Sequence, residues 1–333
     1  MQQAANTLDW LKPYVTSIDS ELVRLFPPNS PIVLERAVSD ALSGGGKRVR
    51  AILALLWCEV YSNDYEKAIP AAVAYELAHA SALVQDDIVD SSSMRRGEQS
   101  IVMKYGLQNA ILASDLLLFN VPKMIAKYDQ LENGRLAKLF DLVGEACRDA
   151  TWGEFLDLEL AEKDQVSEID YENMIRSKTA TLLAAPSASG AIVGGAPDEH
   201  VEMAYKFGEW LGMAYQVQDD TLDLMGSESA LGKPVFTDLR AGKKNIALIH
   251  CFRRCSNEEK RFLKSLFNRR GDYTALEVKR AREILESHGS VKYARAKSAF
   301  YIGQARDTLK NIGDCDAKDS LAKLSTYLAE RYY

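Results

Sequence analysis

The stretch "PAAVAYELAHASALVQDDIVD", Pro70 to Asp90, decides the fold. Up to Val84 it is rich in Ala, Leu and Val, with few polar breaks. A helix that is apolar nearly all round belongs in the centre of a large bundle. Pro70 suits a first helical turn, where its missing N–H costs nothing. The stretch then ends in three carboxylates, Asp86, Asp87 and Asp90. Carboxylates this close repel one another, and a fold does not need them. Something must neutralise them.

Outward from this segment the same helical pattern recurs. "VRAILALLWCEVYS", "NAILASDLLLFNVPKMIAKY" and "RLAKLFDLVGEACRDATWGEFLDLELAEK" repeat apolar residues at three and four. Alternating strand patterns bounded by hairpin turns are nearly absent. "VGGAPDEH" reads as a loop ending in a helix start, and no Ser/Gly linker or charge block divides the chain. The expectation is one all-α domain over residues 1–333, a large helical bundle whose central helices enclose an apolar cavity.

The 333 residues carry a formal net charge of -6 and are 47% hydrophobic, a globular composition. That charge excludes a general nucleic-acid binder, which needs a basic excess. The five cysteines are odd in number, and Cys251 and Cys255 lack the further ligands of a structural zinc site, so reduced thiols are expected. The N-terminus has no basic-then-apolar signal pattern. No apolar run approaches the ~20 residues of a membrane span. A cytoplasmic chain is expected.

The acidic ending is written twice. "VQDDIVD" at 84–90 returns as "VQDDTLD" at 217–223. At helical spacing Asp86 and Asp90 share a face with Asp87 turned aside, and Asp219 and Asp223 share another with Asp220 beside them. Glu76 lies ten residues before Asp86, and Glu209 ten before Asp219, which hints at two pseudo-equivalent helices. Oxygen-only ligands of this kind suit Mg²⁺, which binds through a few carboxylates plus substrate phosphates.

Cations answer the carboxylates. "SGGGKRVR" places Lys47, Arg48 and Arg50 after three glycines at the start of a helix, where the dipole favours an anion. It is no P-loop, because no Ser or Thr follows the lysine and no strand precedes it. "MRRG" adds Arg95 and Arg96, "RSKTATLL" adds Lys178 and Thr179, and "LGKPVFTDLRAGKKN" adds Lys233, Lys243 and Lys244. Arginine forks suit phosphate oxygens. The pattern fits two diphosphates, one bridged to the aspartates by Mg²⁺ and one held directly by Lys and Arg.

In this order "GGGKRVR", "DDIVD…MRRG", "KTATLL" and "YQVQDDTLD" resemble the trans-isoprenyl diphosphate synthases, the polyprenyl synthetases, of medium- to long-chain type. The resemblance implies an all-α fold with a central cavity, usually a homodimer, and Mg²⁺-dependent condensation of isopentenyl diphosphate with an allylic prenyl diphosphate. It implies that Lys47, Arg50, His79 and Arg96 hold isopentenyl diphosphate. Asp86 and Asp90 would bind Mg²⁺ on the allylic diphosphate, and Asp219 and Asp223 would bind it from the other wall. Arg95, Lys178, Thr179, Gln216, Lys233 and Lys243 would contact the allylic diphosphate or the developing cation. The chain departs from the family pattern at Glu154, Ser114, Asn245 and Ala247.

Product length should be set along the helix that ends at Asp86. One isoprene unit is about one helical turn, ~5.4 Å. Ser81 and Ala82 are small where relatives that stop at C15 carry a bulky aromatic, and Ala78 and Ala74 further back are also small. Tyr75 is the first large ring that could form a floor, and Phe119 or Met124 from another helix could also do so. The expected product is C20 or longer, with C25–C35 favoured and geranylgeranyl diphosphate next. A terpene cyclase, a non-catalytic partner subunit and a helical Mg²⁺–nucleotide hydrolase are the rival readings.

Overall fold

The computed structural model describes residues 6–43, 46–226, 235–269 and 271–329. In chain order the helices are α1 Lys12–Leu25, α2 Val33–Ser43, α3 Val49–Ser62, α4 Ile69–Val89, α5 Ile101–Tyr105, α6 Leu107–Ile125, α7 Asn133–Glu162 and α8 Glu168–Ile175. They continue as α9 Thr181–Gly194, α10 Asp198–Met225, α11 Thr237–Arg240, α12 Ile246–Phe252, α13 Asn257–Ser265, α14 Ala275–Ser287, α15 Ser290–Leu309 and α16 Asp316–Ala329. Among the described residues the strands are one short antiparallel pair, β1 Met94–Arg95 and β2 Glu98–Gln99. The all-α expectation is borne out, as are the quoted helices; the loop read at 193–200 is the shorter connection 195–197, since α9 runs to Gly194 and α10 starts at Asp198. No helix among the described residues is long and apolar enough to cross a membrane. All five cysteines are free thiols.

Two compact units make up the chain. The first comprises Met1–Arg148, Leu182–Gly208 and Thr308–Ala322. Its core is the helix pair that the sequence marks as apolar all round. Ala51 to Cys58 on α3 and Ala71 to Ala78 on α4 are buried without a break. The α4 helix enters from a 3₁₀ turn, Tyr65–Ala68, whose start is capped by the Asp64 carboxylate accepting from the Glu66 N–H. Pro70 follows in the first turn of α4.

Glycine sets the approach of α9 to α3. A Cβ on Gly190 would meet the Ala54 carbonyl oxygen at 2.1 Å, and one on Gly194 would meet that of Cys58 at 2.6 Å. The two contacts step by four residues on each helix, so the backbones run in direct contact for a full turn. Trp57 and Phe207 meet edge to face at 5.7 Å between ring centroids beside this seam.

The second unit comprises Asp149–Thr181, Glu209–Asp307 and Lys323–Tyr333. Its core holds Tyr171, Phe236 and Tyr301, and the half-buried Trp210 stacks on Tyr301 at 5.7 Å. Between α8 and α9 the backbone makes one π turn, Arg176–Ala180. Such turns break the regular helical ladder and recur at functional positions. This one carries Lys178 and Thr179.

Candidate active site

In the first unit the acidic end of α4 is built around one arginine. Arg95 on β1 reaches Asp86 Oδ2 and Asp87 Oδ1 at 2.6 Å each, and its Nε adds a bond to Asp87 at 2.9 Å. One guanidinium thus offsets two neighbouring carboxylates. Asp87 is buried; burial raises its pKa, and Arg95 works against that rise. Asp90 lies exposed at the C-cap of α4. The helical spacing predicts Asp87 turned aside from Asp86; instead Arg95 ties the two together.

Arg95 is aimed by a tight hairpin. With Met94 opposite Gln99 and Arg95 opposite Glu98, the turn is Arg96–Gly97. Both turn residues have positive φ, 53° and 84°, as a two-residue hairpin of this twist requires. Arg96 accepts a backbone conformation that favours glycine, and strain of this kind gathers at functional sites. Its guanidinium lies against Gly46, where a Cβ would stand 3.0 Å from Nη1. The glycine loop and the "MRRG" hairpin therefore meet. Gly44 and Gly45 of that loop lie outside the described residues.

His79, Arg50 and Arg96 join this cluster. The His79 pKa falls well below the usual value, first through burial and then through Arg50, Arg96, Arg48 and Arg95. His79 is held as a neutral imidazole facing cations. Lys47 is exposed at the loop. Arg48 corrects its sequence grouping with Lys47 and Arg50. It bonds Asp19 at 2.9 Å, the buried Glu76 at 3.0 Å and the Leu42 carbonyl at 2.7 Å. Its left-handed backbone, φ 51°, turns it into the fold.

In the second unit two lysines converge on Asp157. Lys178 Nζ lies 2.7 Å from Asp157 and 2.8 Å from Glu154, and Lys243 Nζ lies 3.0 Å from Asp157. Burial alone would raise the Asp157 pKa, but the two ammonium groups carry it below the ordinary value. Gly153 makes this possible, since a Cβ there would stand 2.1 Å from the Lys178 backbone nitrogen. Beside it Thr179 Oγ1 donates to Gln216 Oε1 at 2.6 Å, and Gln216 Nε2 donates to Asp220 at 2.7 Å. Asp220 also accepts from the Tyr171 hydroxyl at 2.5 Å. Burial, with Asp219 and Asp157, pushes the Asp220 pKa up to about 7, against the pull of those two donors.

The second acidic motif is not a copy of the first. Asp219 is half-buried on α10, but Asp223 is fully buried. The Asp223 carboxylate accepts from the Thr237 N–H at 3.1 Å, the Thr237 hydroxyl at 2.5 Å and the Asp238 N–H at 3.2 Å. It caps α11 from a distance. The reason is that α10 runs on to Met225, so Asp223 faces returning chain, whereas Asp90 ends its helix. Lys244 is also structural: its ammonium caps the end of α7 through the Leu160 and Ala161 carbonyls. Lys233 lies outside the described residues.

The hinted pseudo-equivalence appears as a pair of ion pairs. Glu209, like Glu76, is buried ten residues before its motif, and it meets Arg176 at 2.6 Å. Sequence reading missed Arg176, Asp157 and Tyr171, and the pairing of Glu76 with Arg48 and of Glu209 with Arg176, because each contact joins residues far apart along the chain.

Along α4 below Asp86, Ser81 pairs with Ser114 of α6 at 2.9 Å between hydroxyls, and both are buried. Tyr75 is buried and bonds the Ser189 hydroxyl of α9 at 2.9 Å. Phe119 is 68% exposed, which removes it as a floor within this chain; Met124 is buried. Carboxylate oxygens of the kind that suit a hard cation stand at the end of α4 in the first unit, on Asp86 and Asp90, and on α10 in the second, on Asp219 and Asp223. Among the described residues no group of three or more His, Cys, Asp or Glu side chains is gathered close enough to hold a metal alone.

The family model described as Polyprenyl synthetase matches residues 31–285. A geranylgeranyl diphosphate synthase of Methanosarcina mazei is 32% identical over 326 residues, covering 98% of each chain. A geranylfarnesyl diphosphate synthase of Aeropyrum pernix is 32% identical over 308 residues, 91% of this chain and 95% of that one. The crystal structure of a geranylgeranyl pyrophosphate synthetase from Pyrococcus horikoshii superposes with a TM-score of 0.91 at 31% identity, covering 99% of both chains.

Proposed function

The chain belongs to the polyprenyl synthetase family and is a prenyl-group transferase, and from that premise we propose its reaction. It condenses isopentenyl diphosphate with an allylic diphosphate to give a trans-polyprenyl diphosphate of C20 or longer. The observation that carries this reading is the basic cluster found in each unit. In the first, Arg50 and Arg96 gather with the neutral His79 at the glycine loop, where Lys47 is exposed, and Arg95 is bound to Asp86 and Asp87. In the second, Lys178 and Lys243 are bound to Asp157. Clusters of this kind suit two diphosphates, one held directly and one that shares its site with metal-binding aspartates. The whole chain, 1–333, acts as one synthase domain in this reading, in the cytoplasm.

Lys47, Arg50, His79 and Arg96 hold the isopentenyl diphosphate. Arg95, Lys178, Lys243 and Lys233 take oxygens of the allylic diphosphate and favour its departure, because charge develops there in the transition state. Mg²⁺, held by Asp86, Asp90, Asp219 and Asp223, would neutralise that diphosphate when bound. Thr179, Gln216 and the π-turn backbone face the allylic carbon as it becomes positive. The isopentenyl double bond attacks that carbon, and the departing diphosphate takes the proton, so no side-chain base is needed.

Length is read from Tyr75. It lies eleven residues before Asp86, about 16.5 Å along the helix and on nearly the same face. Its ring is held by Ser189. About three isoprene units fit in that rise at one per turn, beyond the one beside the diphosphate. This favours C20. The small residues Ser81, Ala82, Ala78 and Ala74 favour C25–C35, if the chain passes the ring. The purified protein incubated with Mg²⁺, isopentenyl diphosphate and C5 to C20 allylic diphosphates distinguishes these outcomes. Products ending at C20 support the Tyr75 floor, and a ladder to C25–C35 removes it. A stop at C15 removes both lengths. Cyclic hydrocarbon made without isopentenyl diphosphate overturns the reaction.

A homodimer is also proposed. Leu107, Ile111, Leu112 and Phe119 form an exposed apolar stripe on α6 that a second copy would cover.

A further inference from the structure

Three hydrogen bonds fix the orientation of one amide in the second unit. Thr179 Oγ1 donates to Gln216 Oε1, Gln216 Nε2 donates to Asp220 Oδ1, and the Tyr171 hydroxyl donates to Asp220 Oδ2. An amide has unlike ends, an accepting oxygen and a donating NH₂. A threonine hydroxyl serves either end, so Thr179 does not choose between them. Asp220 chooses, because it accepts on both oxygens, one from Gln216 and one from Tyr171. Tyr171 is buried in the core and cannot turn its donor to water.

We propose that Tyr171 and Asp220 are positioning residues that hold the Gln216 amide with its carbonyl oxygen toward Thr179. The negative end of the amide dipole then meets the positive charge that grows on the allylic group. This inference rests on the prenyl-transfer reading above. A reversed amide would aim its NH₂ hydrogens at the cation and repel it. The Lys178 and Lys243 contacts to Asp157 lie outside this chain of bonds. A fixed dipole aimed at developing charge acts on kcat, while uniform binding acts on KM.

Tyr171→Phe keeps the ring and removes the donor. Steady-state rates are measured with a C10 allylic diphosphate and with its analogue fluorinated on the alkene, whose cation is harder to form. Melting temperature and helical circular dichroism are recorded alongside. The expected result is a kcat loss of about tenfold, smaller than the ~10²–10³ for removing a donor that touches the charge itself. KM for the allylic diphosphate stays within about twofold, and the fluorine effect on kcat grows several-fold. An unchanged kcat overturns the proposal, and so does a kcat loss with an unchanged fluorine effect, which would mark a structural role only. If Tyr171→Phe loses its helical signal, Asp220→Asn is put through the same comparison with the same criteria. A wild-type protein that forms no prenyl product overturns the prenyl-transfer reading and takes this inference with it.

Discussion

At the scale of the residue, the site is a balance of buried charge. Arg95 offsets Asp86 and Asp87, and Lys178 with Lys243 offsets Asp157. Asp86→Ala should lower turnover by at least about a thousandfold, while the melting temperature changes little, since Arg95 keeps Asp87 as a partner and the repulsion between the two carboxylates is relieved. A product assay beside a thermal melt checks both. Glu76→Ala should behave oppositely. It takes the buried partner from Arg48 and leaves Asp19 and the Leu42 carbonyl, so the loss should reach at most the about 3–5 kcal/mol of breaking a buried pair. Denaturant unfolding would register that loss. His79 gives a pH signature. Its folded pKa is depressed, so below about 6.5 the unfolded chain takes up a proton that the fold refuses. Stability therefore falls as pH drops below that value, and His79→Gln should flatten the slope between pH 7 and 5. A denaturation series across that window checks it.

At the scale of the element, what could be read in advance was whatever a single helix carries. The apolar run of α4, Pro70 in its first turn and Asp86 at its end all follow from local spacing. Contacts between elements were not legible. Nothing in "RLAKLF…AEK" tells that Asp157 will receive lysines from residues 178 and 243. Spacing made Asp219 and Asp223 look like a repeat of Asp86 and Asp90, but α10 continues past its motif, and Asp223 became a cap. Spacing set Arg48 beside Lys47 and Arg50 at the glycine loop, but its left-handed backbone turns it inward. The proposed length gate belongs to this scale as well. Tyr75 on α4 is braced by Ser189 on α9, and Ser81 by Ser114 on α6. Tyr75→Ala should lengthen the main product by at least one isoprene unit, and Ser189→Ala should broaden the distribution with a smaller shift. Chromatography of the dephosphorylated products separates these outcomes.

At the scale of the whole molecule, the α6 stripe makes its own prediction. Light scattering on the eluting protein should give twice the chain mass of 37.0 kDa. Phe119→Asp, at a site 68% exposed, should shift the population toward the monomer without unfolding it. A wild-type monomer at micromolar concentration would sink the dimer proposal. The contact of α9 with α3 has a further consequence. Gly190 and Gly194 bring backbone against backbone, and α3 is buried without a break from Ala51 to Cys58. Amides there have no local route to solvent, so their hydrogens should exchange for deuterium only when the chain opens globally. The slowest peptide in a deuterium time course should cover 51–58, and its lifetime should lengthen in proportion to how tightly the folded protein holds a diphosphate. One helix would then serve as a clock that reads binding to the unit it belongs to.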